Sequence, residues 1–94
     1  NIEVRIATIP EVPGRFIPYA RVVHSKYAVA DDQILWLGTT NWERGMFMTS
    51  RNVDVVLRRS EQAKQANRVF LQLWNASYCA PIDPQKEYVP PRVR

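Results

Sequence analysis

Residues 24–41 read His-Ser-Lys-Tyr-Ala-Val-Ala-Asp-Asp-Gln-Ile-Leu-Trp-Leu-Gly-Thr-Thr-Asn. Two apolar runs, Tyr27-Ala28-Val29-Ala30 and Ile34-Leu35-Trp36-Leu37, are parted by Asp31-Asp32. β-Branched and aromatic residues on either side of such a turn signal spell an antiparallel hairpin. Side chains two apart on a strand share a face, so His24 and Lys26 stand together, roughly 6–7 Å apart. The return strand carries Gly38, Thr39 and Asn41 back to the same end of the hairpin, across from His24 and Lys26. An imidazole, an ammonium, a hydroxyl and a carboxamide over one small target suit a tetrahedral anion, phosphate foremost.

The chemistry follows from those groups. Cleaving a phosphodiester takes a nucleophile or activated water, stabilisation of charge on the equatorial oxygens, and a proton for the leaving oxygen. An imidazole titrates near neutrality and serves the first or the last of these needs. Lysine is a compact cation, and a carboxamide with a hydroxyl at a Gly turn completes an oxyanion cradle. His24, Lys26, Asn41 and Thr39 are therefore the candidate site. The alternative nucleophile, Ser25, faces away from His24 on the strand and lacks the Gly-x-Ser-x-Gly elbow of a serine hydrolase. One His and one Cys, Cys79, do not make a tetrahedral zinc site, so no metal or cofactor is expected.

Outward from the hairpin, Ile2-Glu3-Val4-Arg5-Ile6 alternates as a first strand. Pro10, Pro13-Gly14 and Pro18 predict a loop over 8–19, and residues 21–30 the second strand. Residues 38–50, with Gly38 and Gly45, read as a turn and irregular loop, and Val53 to Leu57 as a further buried strand. Ser60 is a candidate N-cap for a helix with Glu61 at its positive end and an apolar stripe of Ala63, Ala66, Phe70, Leu73 and Trp74. The pattern predicts an α+β or α/β chain: a mainly antiparallel or mixed sheet of about four strands with one C-terminal helix. Pro81, Pro84, Pro90 and Pro91 predict an extended tail over 77–94, leaving 1–76 as the folded portion.

The 94 residues carry a net charge of +4, which favours anionic partners, nucleic acid and lipid headgroups among them. Arg58-Arg59, Arg92 and Arg94 are not interleaved with aromatics as a base-stacking groove would be, so they read as a solvated basic face. No run approaches the roughly 18 apolar residues of a membrane span. Trp36 and Trp74 read as core, and Trp42, just after Asn41, as a rim residue. The missing initiator Met and the small inventory of elements read as a piece of something longer.

The pattern H-x-K-x4-D-x6-G-[ST]-x-N is satisfied in full by His24, Lys26, Asp31, Gly38, Thr39 and Asn41. It resembles the HKD motif of the phospholipase D superfamily. The flanking Ile17-Pro18-Tyr19-Ala20-Arg21-Val22, the Gly38-Thr39-Thr40-Asn41-Trp42 segment and a helix ending near Leu73-Trp74 look like the C-terminal HKD half of the lysosomal and poxviral branch and its bacterial relatives. The resemblance implies an α-β-α sandwich and a site shared by two HKD motifs at a pseudo-twofold interface. The second motif would come from the same chain upstream or from a homodimer. One His would form a phosphohistidine; the other would protonate the leaving alcohol and then activate water or an acceptor alcohol. His24 falls to the second role, Lys26 and Asn41 to holding phosphoryl oxygens, and Asp31 to structure, while Thr39 stands for the usual Ser. The implied substrate is a phospholipid, through headgroup hydrolysis or transfer. A single-stranded nucleic acid cut by a 5′-exonuclease and a non-catalytic anion-binding module are the alternatives. The branch also implies a secretory, lysosomal or extracytoplasmic setting. One position departs from the family: where many members have a Glu that orients the imidazole, this chain has Asn52, and Asp54 on the same strand face is the candidate substitute.

Overall fold

A computed structural model describes residues Asn1–Arg94. Their contacts gather into two units, one of residues 24–70 and one formed by 1–23 together with 71–94.

In the 24–70 unit the hairpin forms where the alternation places it. Strand β2, Lys26–Ala30, runs antiparallel to β3, Ile34–Gly38, from Ala30 opposite Ile34 to Lys26 opposite Gly38. The turn has both aspartates in the left-handed region, Asp31 at φ 52° and Asp32 at φ 55°, and the Gln33 N–H donates to the Ala30 carbonyl at 3.0 Å. Two successive positive φ values match the right-handed twist of the strands, and Asp tolerates them better than most residues. Strand β4, Asp54–Arg58, adds antiparallel to β3, giving the order β2-β3-β4. Directly paired residues share a face. Tyr27, Val29, Leu35, Leu37, Val55 and Leu57 therefore line one side, with Leu35 only 2% exposed. Lys26, Ala28, Trp36, Gly38, Asp54 and Val56 line the other.

Helix α2 spans Glu61–Trp74. The Ser60 hydroxyl accepts from the Ala63 N–H at 3.3 Å, as an N-cap should. Ala63 is fully buried, and Ala66, Asn67, Leu73 and Trp74 are half-buried at the helical repeat. Phe70, expected on that stripe, stays 40% exposed. In the first turn Lys64 Nζ donates to Glu61 at 2.9 Å, and that hydrogen bond holds the Glu61 carboxyl below its usual range. Asn67 Nδ2 ties the helix to the hairpin turn through the Asp32 carboxylate at 2.7 Å.

In the other unit β1, Arg5–Ala7, pairs antiparallel with β5, Cys79–Pro81. The Arg5 guanidinium stacks on the Trp74 ring at 4.6 Å and donates to the Trp74 carbonyl at 3.0 Å. It thereby caps a carbonyl at the end of α2, where a cation is favoured. The proline-rich segment after β1 is cross-tied by Arg21, whose guanidinium donates to the Ile9 carbonyl at 2.5 Å and pairs with Glu11 at 3.1 Å.

The chain is thus α+β, with its strands divided between two sheets, β1-β5 and β2-β3-β4, rather than gathered in one. The first strand starts at Arg5 instead of Ile2, and its partner comes from the extended tail, where Cys79–Pro81 form a strand. The second strand begins at Lys26 and not at Arg21, because Arg21 is taken up in a turn and its side chain in the loop ties. A short helix α1, Arg44–Thr49, occupies part of the segment expected to be irregular. No helix is long and apolar enough to cross a membrane.

Candidate phosphoryl site at the open end of the hairpin

The β2-β3 ladder closes with Lys26 opposite Gly38, and beyond it the two chains leave the sheet carrying His24 on one side and Thr39, Thr40 and Asn41 on the other. His24, Lys26, Thr39 and Asn41 therefore come to one end of the hairpin. The His24 and Asn41 side chains are exposed, and Lys26 is half-buried. Lys26 Nζ donates to the His24 backbone carbonyl at 2.8 Å, so the lysine leans along its strand toward the histidine. Asp31 is not brought to this end. It sits in the turn with a left-handed φ of 52°, five residues from Lys26 and about 16 Å away along the strand at the usual rise.

Thr39 and Asn52 carry the connection to β4. The Thr39 N–H donates to the Val53 carbonyl at 3.2 Å, and the Thr39 hydroxyl accepts from the Val53 N–H at 3.1 Å. The same hydroxyl donates to Asn52 Oδ1 at 3.4 Å. Asn52 Nδ2 donates to the Met46 and Ser50 carbonyls at 3.1 and 3.3 Å, fastening α1 and the segment after it. The Asn52 amide is therefore turned into the loop and locks Thr39. The structure shows it in that structural post, not on the imidazole.

Gly38 lies under a crowded surface. A Cβ there would come within 2.1 Å of Asp54 Oδ1 and within 2.5 Å of a Trp36 ring carbon. The Asp54 carboxylate and the Trp36 indole thus both rest over Gly38, on the face that Lys26 shares. The Thr40 hydroxyl, in a residue only 1% exposed, donates to both Asp54 carboxylate oxygens at 3.2 and 3.4 Å. Trp42 packs edge-on to Trp36 with ring centroids 5.1 Å apart and an interplanar angle of 66°, and is itself 69% exposed. The site thereby acquires an apolar rim beside its polar groups. On the opposite face of β2, burial raises the Tyr27 phenol above its ordinary value, so it is a neutral hydroxyl at neutral pH.

Two residues of this arrangement escaped the motif reading. Thr40 falls on an unspecified position of the pattern, and only its hydroxyl's bonds to the Asp54 carboxylate tie it to the site face. Trp36 reads as plain core, yet its ring covers the glycine.

A family model described as "Cardiolipin synthase, PLD-like domain" matches residues 1–74. The chain is 38% identical over 78 residues to a probable phospholipase D of Caenorhabditis elegans, a match covering 83% of this chain and 14% of that protein. It is 34% identical over 86 residues to the 5'-3' exonuclease PLD3 of Xenopus laevis, covering 83% of this chain and 17% of the relative. The virion nicking-joining enzyme of vaccinia virus is 31% identical over 81 residues, covering 83% of this chain and 19% of the viral protein. The chain spans less than a fifth of the length of each of these relatives.

Proposed function

We propose, on the premise that this chain belongs to the phospholipase D superfamily, that it supplies one half of a phosphodiesterase site in which His24 transfers protons. Lys26 and Asn41 hold the phosphoryl oxygens. The observation that carries this reading is the meeting of His24, Lys26, Thr39 and Asn41 at the open end of one hairpin, with Lys26 leaning onto the His24 backbone. The second HKD motif comes from upstream in the same chain or from a second copy. Its His attacks phosphorus and forms the phosphohistidine. His24 protonates the leaving alcohol, then takes a proton from the incoming water or alcohol. Asp31 and Asn52 act through structure: the first sets the turn, and the second locks Thr39 and the loop after α1. Residues 1–76 form the C-terminal HKD portion in this reading, and 77–94 an extended tail whose β5 pairs with β1.

The substrate in this reading is a phospholipid, hydrolysed or transferred at its headgroup; relatives named phospholipase D support it. Relatives named 5'-3' exonuclease support a second substrate, the end of a single-stranded nucleic acid. The exposed Trp42 rim suits an acyl chain or a base equally. The full-length protein is to be assayed on bis(p-nitrophenyl) phosphate, phosphatidylcholine vesicles and a 5′-hydroxyl oligonucleotide. Turnover of the generic diester together with one natural substrate is expected, and rates are expected to be unchanged by EDTA, because the roles assigned here need only imidazole, ammonium and carboxamide. Strong inhibition by chelator would contradict the mechanism. Salt-sensitive binding without turnover of any of the three would leave an anion-binding module.

A further inference from the structure

The open end of the hairpin holds one more charged group, Asp54, and its placement is specific. The register sets Lys26, Gly38 and Asp54 in a single cross-strand row, so all three project from one face. The middle member has no side chain, and the Asp54 carboxylate fills that space, close enough that a Cβ on Gly38 would lie 2.1 Å from Oδ1. The carboxylate is thus drawn in from β4 across β3 toward β2, the strand of Lys26.

Its position is held from beneath. The buried Thr40 hydroxyl donates to both carboxylate oxygens at 3.2 and 3.4 Å, while Asp54 itself remains exposed to solvent. Each oxygen keeps acceptor capacity for a further donor. The two charged side chains also lean the same way. Lys26 reaches back to the His24 carbonyl, and Asp54 reaches forward to Thr40, and both residues flank the end of the ladder that closes at Lys26–Gly38. Asn52 does not compete for this place, since its amide is turned to Thr39, Met46 and Ser50.

Lys26 and Asp54 are not ion-paired in this structure, Lys26 Nζ resting on the His24 carbonyl and the Asp54 carboxylate on Thr40. We propose that Asp54 is a positioning residue of the phosphoryl site: with a phosphoryl group bound, its carboxylate takes one donor of the Lys26 ammonium and so aims another at the substrate oxygen. An ammonium has three donors on a flexible stem. One is on the His24 carbonyl in this structure. A second, taken by Asp54 once substrate is bound, leaves the third with a single direction, toward the phosphoryl group. The alignment, not added charge, is what Asp54 contributes, because a carboxylate near the site by itself opposes binding of an anion. This assignment rests on the phosphodiesterase reading above.

The opposition of those two effects makes the test sharp. Asp54→Asn keeps the size and an acceptor for Thr40 but removes the charge. In the full-length protein on bis(p-nitrophenyl) phosphate, kcat is expected to fall at least about tenfold while KM stays equal or drops, with the thermal midpoint unchanged. Thr40→Val, which keeps the Asp54 charge and frees its carboxylate, is expected to lower kcat by less than Asp54→Asn. The double variant is expected to be no worse than Asp54→Asn alone. Wild-type kcat in a folded Asp54→Asn protein overturns the assignment, as does a loss shared equally with Thr40→Val and accompanied by a raised KM and a lower midpoint, the mark of a purely structural contact. His24→Asn and Lys26→Ala run beside these variants separate the two levels. If both retain turnover, the phosphodiesterase reading fails. If both are inactive and Asp54→Asn is wild type, only the positioning role fails.

Discussion

His24→Asn in the full-length protein is expected to lower phosphodiester turnover at least about a hundredfold, the lower end of what a positioned general acid–base group contributes. Asparagine is close in size to the imidazole and retains a hydrogen-bonding amide, but it neither takes up nor releases a proton near neutrality. The substitution therefore isolates proton transfer from shape. His24 is exposed and precedes β2, and the contact it makes with Lys26 uses its backbone carbonyl, which Asn preserves. Stability is accordingly expected to change by no more than about 0.5 kcal/mol, as for other surface substitutions. Single-turnover assays on bis(p-nitrophenyl) phosphate with a thermal melt alongside decide the matter. Full turnover in a folded His24→Asn protein removes His24 from the chemistry and the proposed mechanism with it.

Gly38→Ala is expected to have the largest effect on stability. Gly38 does not hold a left-handed backbone conformation; what it provides is space. An added Cβ would meet Asp54 Oδ1 at 2.1 Å and Trp36 ring carbons at 2.5 and 2.8 Å. The carboxylate must then swing away, which strands the Thr40 hydroxyl in a residue only 1% exposed. An unsatisfied buried hydroxyl costs about 1–3 kcal/mol, and overpacking against the indole adds a similar amount. A combined loss of roughly 2–6 kcal/mol is therefore expected, read as a lowered urea midpoint at unchanged slope. Turnover should fall as well, since the same collision displaces the row that contains Lys26. A Gly38→Ala protein with the wild-type midpoint would show that the Trp36 and Asp54 side chains do not crowd this glycine in solution.

Local rules made the hairpin legible. The Asp31-Asp32 pair breaks two apolar runs, and both aspartates adopt the positive φ that such a turn requires. Ser60 and the stripe through Ala63, Ala66, Leu73 and Trp74 announced α2 for the same reason: capping and periodicity are properties of neighbouring residues. The pairing of β1 with β5 was not legible. Arg5–Ala7 and Cys79–Pro81 lie more than 70 residues apart in the chain, and neither short run carries a signal that names its partner. Helix α1 is not legible either, because Arg44–Thr49 has no side-chain cap and no acidic residue in its first turn.

The candidate site divides along the same line. His24, Lys26, Thr39 and Asn41 were grouped by spacing, because antiparallel pairing converts sequence separation into position: residues just before β2 and just after β3 leave the ladder at the same end. The company that Asn52 keeps was decided by tertiary structure: its amide fastens the loop after α1, through bonds to Thr39, Met46 and Ser50 that spacing does not foretell. The same holds for Asp54. The sequence alone determined which chemical groups share the end of this hairpin. Only the addition of β4 decided that a carboxylate would lie over Gly38, in the cross-strand row that includes Lys26. A strand's own alternation sets its faces, whereas which strand pairs next to it, and in which register, is selected by packing and hydrogen bonding across the sheet.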